Sequence, residues 1–167
     1  MLLGLSRIID CPGGVVPFEL ELDLSGLVFG ACRPVTEPVA AKGEVRNEAG
    51  VLELSGTVST TLHAVCDRCA VPFIRAVRYP LRAILTADSD GGDPEDPWVF
   101  PLTDDSADLD EIVTTCFVLN MDSKFLCSES CKGLCYRCGA NLNEGPCACK
   151  PEPDPRFAAL GKLLEKS

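Results

Sequence analysis

The sequence is poorest in the residues around which most catalytic sites are built. It holds one histidine, His63, in 167 residues, which leaves little scope for imidazole acid–base chemistry or for activating a nucleophile. His63 falls on the polar face of a strand-like stretch, where a solvated side chain is expected. No phosphate-cradling glycine loop and no converging set of carboxylates can be traced, so no enzymatic activity and no small-molecule substrate are expected. Long apolar runs are also missing. None approaches the ~20 residues that a membrane-spanning helix needs, and no membrane association is expected. The opening MLLGLSRIID has no basic stretch before its apolar residues and meets Arg7 and Asp10 at once, unlike a secretory leader. A cytoplasmic location is the expectation.

Positive charge is scarce in one long stretch. Ten acids and no Lys or Arg lie between Asp88 and Glu111, and they account for the whole net charge of −10. A solvated acidic loop explains them; docking on a basic partner is the functional alternative. No basic stripe of the kind that binds nucleic acid is present. The nearest approach is Arg68, Arg75, Arg78 and Arg82, which read either as scattered surface arginines or as a small phosphate-contacting patch. Arg78 and Arg82 fall on one strand face.

Cysteine, by contrast, is abundant: there are eleven. The odd count, the clustering and a reducing cytoplasm argue against a disulfide scaffold. Cys66 and Cys69 form a C-x2-C pair, while Cys127, Cys131, Cys135, Cys138, Cys147 and Cys149 fall within 23 residues. Cys11, Cys32 and Cys116 stand alone. A C-x2-C turn lets backbone N–H groups point at two sulfurs that share one ion, and four thiolates close a tetrahedral structural zinc site. Gly139, just after Cys135-Tyr136-Arg137-Cys138, supplies the positive φ such a turn requires. Eight cysteines therefore suggest two zinc ions. The preferred division places Cys66, Cys69, Cys127 and Cys131 on one ion and Cys135, Cys138, Cys147 and Cys149 on the other. Pairing Cys66–Cys69 with Cys135–Cys138 as a zinc ribbon remains open. A redox pair at Cys66–Cys69 would need a βαβ setting that its strand-rich surroundings lack. A cysteine-bound iron–sulfur cluster is chemically permitted. The C-x3-C-x2-C run from Cys131 matches the radical-SAM motif, but only 29 residues follow Cys138, too few for that fold.

Apolar residues alternate with polar ones over Val16–Leu24, Val39–Val45, Leu52–Ala64 and Val71–Leu85, a period of two that marks strands with one buried face. Cys66–Cys69 then sits at the tip of a hairpin. Asp88 to Pro101 reads as loop. Leu109, Ile112, Val113, Cys116, Phe117 and Leu119 recur at helical spacing, with Ser106 or Asp108 as cap and Asp110 and Glu111 suited to the dipole. Cys116 is expected to be a buried thiol. Asp154-Pro155 opens a short second helix carrying Phe157, Leu160, Leu163 and Leu164. The expected fold is mainly β (α+β): an antiparallel meander or barrel-like sheet over residues 1–120, then a Cys-rich zinc knob over 121–167.

Cys66-Asp67-Arg68-Cys69 between two strands resembles the C-x-R-C turn of the YceD family, the large ribosomal RNA subunit accumulation proteins. The run Cys127…Cys131-Lys132-Gly133-Leu134-Cys135-Tyr136-Arg137-Cys138-Gly139-Ala140-Asn141-Leu142-Asn143, with Cys147-Ala148-Cys149 and Asp154-Pro155-Arg156, resembles its longer-tailed bacterial members. The resemblance covers roughly residues 35–165. Short-tailed relatives keep the equivalent of Cys66–Cys69 and lack the second cysteine set, which favours the two-site division. It implies a non-enzymatic factor for accumulation of large-subunit (23S) ribosomal RNA, whose partner is a large-subunit precursor reached through a ribosomal protein or the RNA. Net charge favours contact through a protein, with the arginines as an RNA edge. An interaction module without a ribosomal role is the competing expectation.

Overall fold

In the computed structural model, described for residues 1–30, 32–86 and 96–149, the four alternating stretches form four long strands. They are β2 (Val15–Leu22), β3 (Val39–Glu48), β4 (Val51–Val65) and β5 (Pro72–Thr86), after a short β1 (Leu2–Gly4) and α1 (Ser6–Ile9). Each pairs antiparallel with the next, so the expected meander is present. Three further elements follow: β6 (Val99–Pro101), β7 (Ser106–Asp108) and α2 (Leu109–Asn120). The sheet order is β2-β3-β4-β5-β6, with β1 and β7 forming a separate antiparallel pair.

Of the two forms expected, the meander is the one built, as an open sheet: among the described residues β2 and β6 are opposite edges that do not pair. Alternation specifies a buried face but not what covers it, and here α1, α2 and the β1–β7 pair provide the cover. Two finer expectations need correction. Val99–Pro101, expected as loop, adds to β5 as a parallel strand. Leu119 was expected on the buried face of α2 but is exposed in the last turn of that helix, where the covering side chains are Phe117 and Met121. Residues Asp154 to Leu164, expected as a helix, and Asp88 to Glu95 lie outside the described residues.

The core is the inner face of the sheet, including Leu54, Val58, Leu62 and Leu81, against Ile112, Val113 and Phe117 of α2. Tyr79 meets Phe117 edge-on at 5.9 Å, a favoured aromatic geometry. Of the two candidate caps, Asp108 is the one used, its carboxylate accepting from Asp110 N–H at 3.0 Å. Cys116 is buried as expected, and burial pushes its thiol pKa up. Phe125, beyond α2, packs into the same core.

Two local features set the register. Gly43 and Gly56 face each other, and a Cβ on either would strike the carbonyl of Ser55 or Lys42. At the β3–β4 turn, Ala49 and Gly50 both have positive φ, the twist that suits a two-residue hairpin. Asn47 holds this corner. It is 1% exposed, donates to the carbonyls of Ile8 (2.6 Å) and Ile9 (2.7 Å), and accepts from Gly50 N–H (2.8 Å). Asn47→Ala strands these buried groups and is expected to cost about 2–3 kcal/mol. Urea unfolding would check it against Thr61→Ala, which should change stability by less than about 0.5 kcal/mol.

Candidate metal centre

The β4–β5 hairpin runs further than the sheet beside it. β3 pairs with β4 only as far as Ser59, while the β4–β5 ladder continues to Val65 and Pro72. Cys66-Asp67-Arg68-Cys69 is therefore carried on an arm that projects from the meander. In this turn Ala70 N–H donates to Cys66 C=O at 2.8 Å and Cys66 N–H donates to Val71 C=O at 2.9 Å. The same two bonds recur at Cys135: Gly139 N–H to Cys135 C=O at 2.9 Å, and Cys135 N–H to Ala140 C=O at 2.8 Å. The chain thus builds one knuckle twice. The position after the second cysteine has positive φ in both, 58° at Ala70 and 72° at Gly139.

The sulfurs sort as the preferred division expects. Cys66, Cys69, Cys127 and Cys131 form one group, and Cys135, Cys138, Cys147 and Cys149 form another, with Sγ atoms within 4.8 Å of one another in each. In the first, Cys66 Sγ lies 3.8 Å from Cys131 Sγ, and Cys69 Sγ lies 3.6 Å from Cys127 Sγ. The ribbon pairing of Cys66–Cys69 with Cys135–Cys138 is not formed. None of the eleven cysteines is in a disulfide. Each group could hold a metal ion.

Several bonds lock the tail onto the hairpin tip. Asp67 N–H donates to Phe125 C=O at 2.8 Å, and the Asp67 carboxylate accepts from Phe125 N–H at 2.7 Å. Leu134 N–H donates to Arg68 C=O at 3.0 Å. The Arg68 guanidinium donates to the carbonyls of Cys131 (3.1 Å) and Glu129 (3.4 Å). Gly133 is required here, with φ of 76° and room for a Cβ only 3.0 Å from Arg68 O.

Each group holds thiols pushed in opposite directions. Burial pushes Cys66 up, but N–H groups of Cys127, Cys69 and Arg68 outweigh it and bring the thiol down to about 6. Cys127 is pushed up to about 12 by desolvation and by the other three thiols. Cys131 is lowered, chiefly by the Asn143 amide. Cys69 is raised: Val71 N–H favours its thiolate, but burial and the neighbouring sulfurs prevail. In the second group, N–H groups of Cys138 and Arg137 bring Cys135 to about 6, while Cys138 and burial push Cys149 to about 12. Fixed dipoles can support part of the negative charge that four thiolates carry; a cation is needed for the rest.

The four arginines do not form one patch. Arg68 and Arg75 are engaged in the scaffold: Arg75 meets Asp122 at 2.6 Å and lies over the Phe73 ring. Arg78 and Arg82 point from the opposite, solvent-facing side of β5. His63 is exposed, with Nε2 3.3 Å from Glu37, away from the sulfurs. Asn143 was expected only as a turn residue. Its Nδ2 donates to Cys131 Sγ at 3.4 Å and its Oδ1 accepts from Lys132 N–H at 2.8 Å, so the second loop helps hold the first centre. An asparagine placed between cysteines was the available signal.

The profile described as large ribosomal RNA subunit accumulation protein YceD matches residues 54–164, which include both cysteine groups. The chain belongs to the YceD family. Two relatives carry the name large ribosomal RNA subunit accumulation protein YCED homolog 1, chloroplastic. The Zea mays protein is 28% identical over 144 residues, covering 68% of this chain and 49% of its own length. That of Arabidopsis thaliana is 26% identical over 162 residues, covering 80% and 50%. The chain thus spans about half the length of the curated relatives it matches. No solved structure matches.

Two outcomes are expected. Elemental analysis should find two metal ions per chain, one for each group, and Cys135→Ser should remove about one while the strand signal in circular dichroism persists. Loading should also weaken with acid. The metal-bound state carries fewer protons than the free thiols, so lowering pH favours release, most steeply below about pH 6, where Cys66 and Cys135 also gain protons. A chelator-competition series from pH 8 to pH 5 (roughly the span over which thiol ligands compete with protons) checks this.

Proposed function

We propose that this protein is a zinc-stabilised, non-enzymatic factor for accumulation of large-subunit ribosomal RNA, acting in biogenesis of the large ribosomal subunit. Family membership carries the reading: the match spans both the hairpin turn and the cysteine tail, and the curated relatives are named for the same role.

Zinc follows from the donor set. Four thiolates around Zn²⁺ at about 2.3 Å leave tetrahedral edges of about 3.8 Å, and sulfur separations of 3.8 and 3.6 Å in the first group fit them. Four sulfurs also complete the coordination sphere and leave no position for a catalytic water. The ions would fold the tail onto the hairpin tip and supply no reaction. The partner is a large-subunit precursor, and a reducing compartment such as the cytoplasm suits eleven free thiols. No helix among the described residues is long and apolar enough to cross a membrane.

Deleting the protein should lower the ratio of large- to small-subunit ribosomal RNA, and the tagged protein should co-sediment with large-subunit precursors. Cys66→Ser should fail to restore the ratio. Unchanged RNA on deletion would sink the assembly reading. Iron in place of zinc, with absorbance near 400 nm (roughly where thiolate-bound clusters absorb), would replace the structural ions by a redox centre.

A further inference from the structure

A groove of about 490 Å³ lies along the edge of β5 beside β6, between outer-face side chains of β5 and Asn120 at the end of α2, far along β5 from the cysteine turn. Pro80, Ile84 and Trp98 make its apolar walls, and Arg82, Glu53 and Asn120 stand at its polar edges. Ile84 is 42% exposed, as Ile74 is at 67% further along the same face, so the outer face of β5 carries apolar side chains between its arginines. Trp98 is anchored at the edge of the sheet: Ile84 N–H donates to its carbonyl at 2.8 Å, and its own N–H donates to the Asp96 carboxylate at 2.9 Å.

The groove continues into a polar track. Arg82 and Arg78 project from the same face of β5, four residues apart, or about 13 Å along a strand. Their cross-strand neighbours on β4 are Ser55 and Ser59. Among the described residues neither arginine is in an ion pair, although the chain has 25 acids and 15 bases.

We propose that the groove takes an unpaired base of a single-stranded RNA segment, with Arg82 and Arg78 on phosphates of the same strand. This rests on the ribosomal reading above and names the surface that would touch the RNA. A flat base suits an apolar slot walled by tryptophan, and base–aromatic stacking is the recurrent means of holding single strands. Guanidinium groups without carboxylate partners are free to neutralise phosphates, and the two serines can reach phosphate or 2′-hydroxyl oxygens. A duplex keeps its bases stacked and cannot fill the slot. A basic protein segment would be repelled by the two arginines. Glu53 and Asp96 oppose phosphate at the groove itself, so the phosphates belong beside Arg82 and Arg78, while exposed charges more than about 10 Å away are largely screened at 0.1 M salt.

Trp98 is the chain's one tryptophan, so its emission reports on the groove. The full chain would be titrated with single-stranded oligocytidylate, oligouridylate and oligoadenylate of about 12 nucleotides, with a duplex of the same length, and with polyglutamate. Saturable quenching by at least one single strand is expected, with a log–log salt slope of about −1.4 for two phosphates. Arg82→Ala should weaken binding roughly tenfold and reduce the slope by about 0.7, with circular dichroism unchanged. Arg78→Ala should act in the same direction. The proposal is overturned if no single strand quenches Trp98 at low salt, if duplex or polyglutamate binds as well, or if Arg82→Ala changes nothing. Co-sedimentation separates the two readings. If the wild type and Arg78→Ala/Arg82→Ala travel with large-subunit precursors equally, the groove proposal falls and the ribosomal role stands. If the wild type is absent from those fractions, the ribosomal role falls and takes this proposal with it.

Discussion

The crowding of sulfur is the constraint on which the rest of the molecule depends. Four thiols within 4.8 Å of one another cannot all ionise unless positive charge is brought among them. Backbone N–H groups stabilise the Cys66 and Cys135 thiolates, while Cys127 and Cys149 are pushed the other way by their neighbours. A divalent cation resolves both tendencies, because it replaces sulfur–sulfur repulsion with four bonds. The first centre draws its ligands from a hairpin tip and from a segment about sixty residues later, so closing it also closes the chain.

The sheet is organised to deliver that tip. β4 and β5 are the longest strands, each with 15 residues, and they outrun β3. Their inner face stays covered past the end of the meander by Val35, which bridges to Leu62, and by Phe125. Asp67 and Arg68 occupy the positions between the two ligands, and both face the tail. The C-x-R-C turn thus binds sulfur and peptide backbone at once. Both tail carbonyls that Arg68 reaches accept from its one Nη1 group.

The two faces of β5 separate an anchored arginine from two that, among the described residues, are unpaired. Arg75, among the inward-facing residues, is fixed by Asp122 and Phe73. Arg78 and Arg82, on the outward-facing side, leave their charges available. Counting arginines in sequence merges these into one patch; the pleat separates them, because adjacent positions on a strand project to opposite sides.

Much of this was determined by short-range patterning that needs no knowledge of the whole fold. Alternation marked the four long strands and their buried faces, helical spacing marked α2, and the C-x2-C spacings with Gly139 marked both knuckles. The grouping of the eight sulfurs was the preferred reading from the sequence, with the ribbon pairing left open. The tertiary structure decided between them, since only it brings Cys127 and Cys131 to the hairpin tip. It likewise decided that the sheet stays open, that Val99–Pro101 joins β5 in parallel, and that Asn143 serves the first centre from the second loop. Each of these depends on groups that meet across long stretches of chain. Local periodicity and turn chemistry reach only a few residues, whereas coordination, sheet closure and a groove are settled by which distant surfaces the packed core brings together.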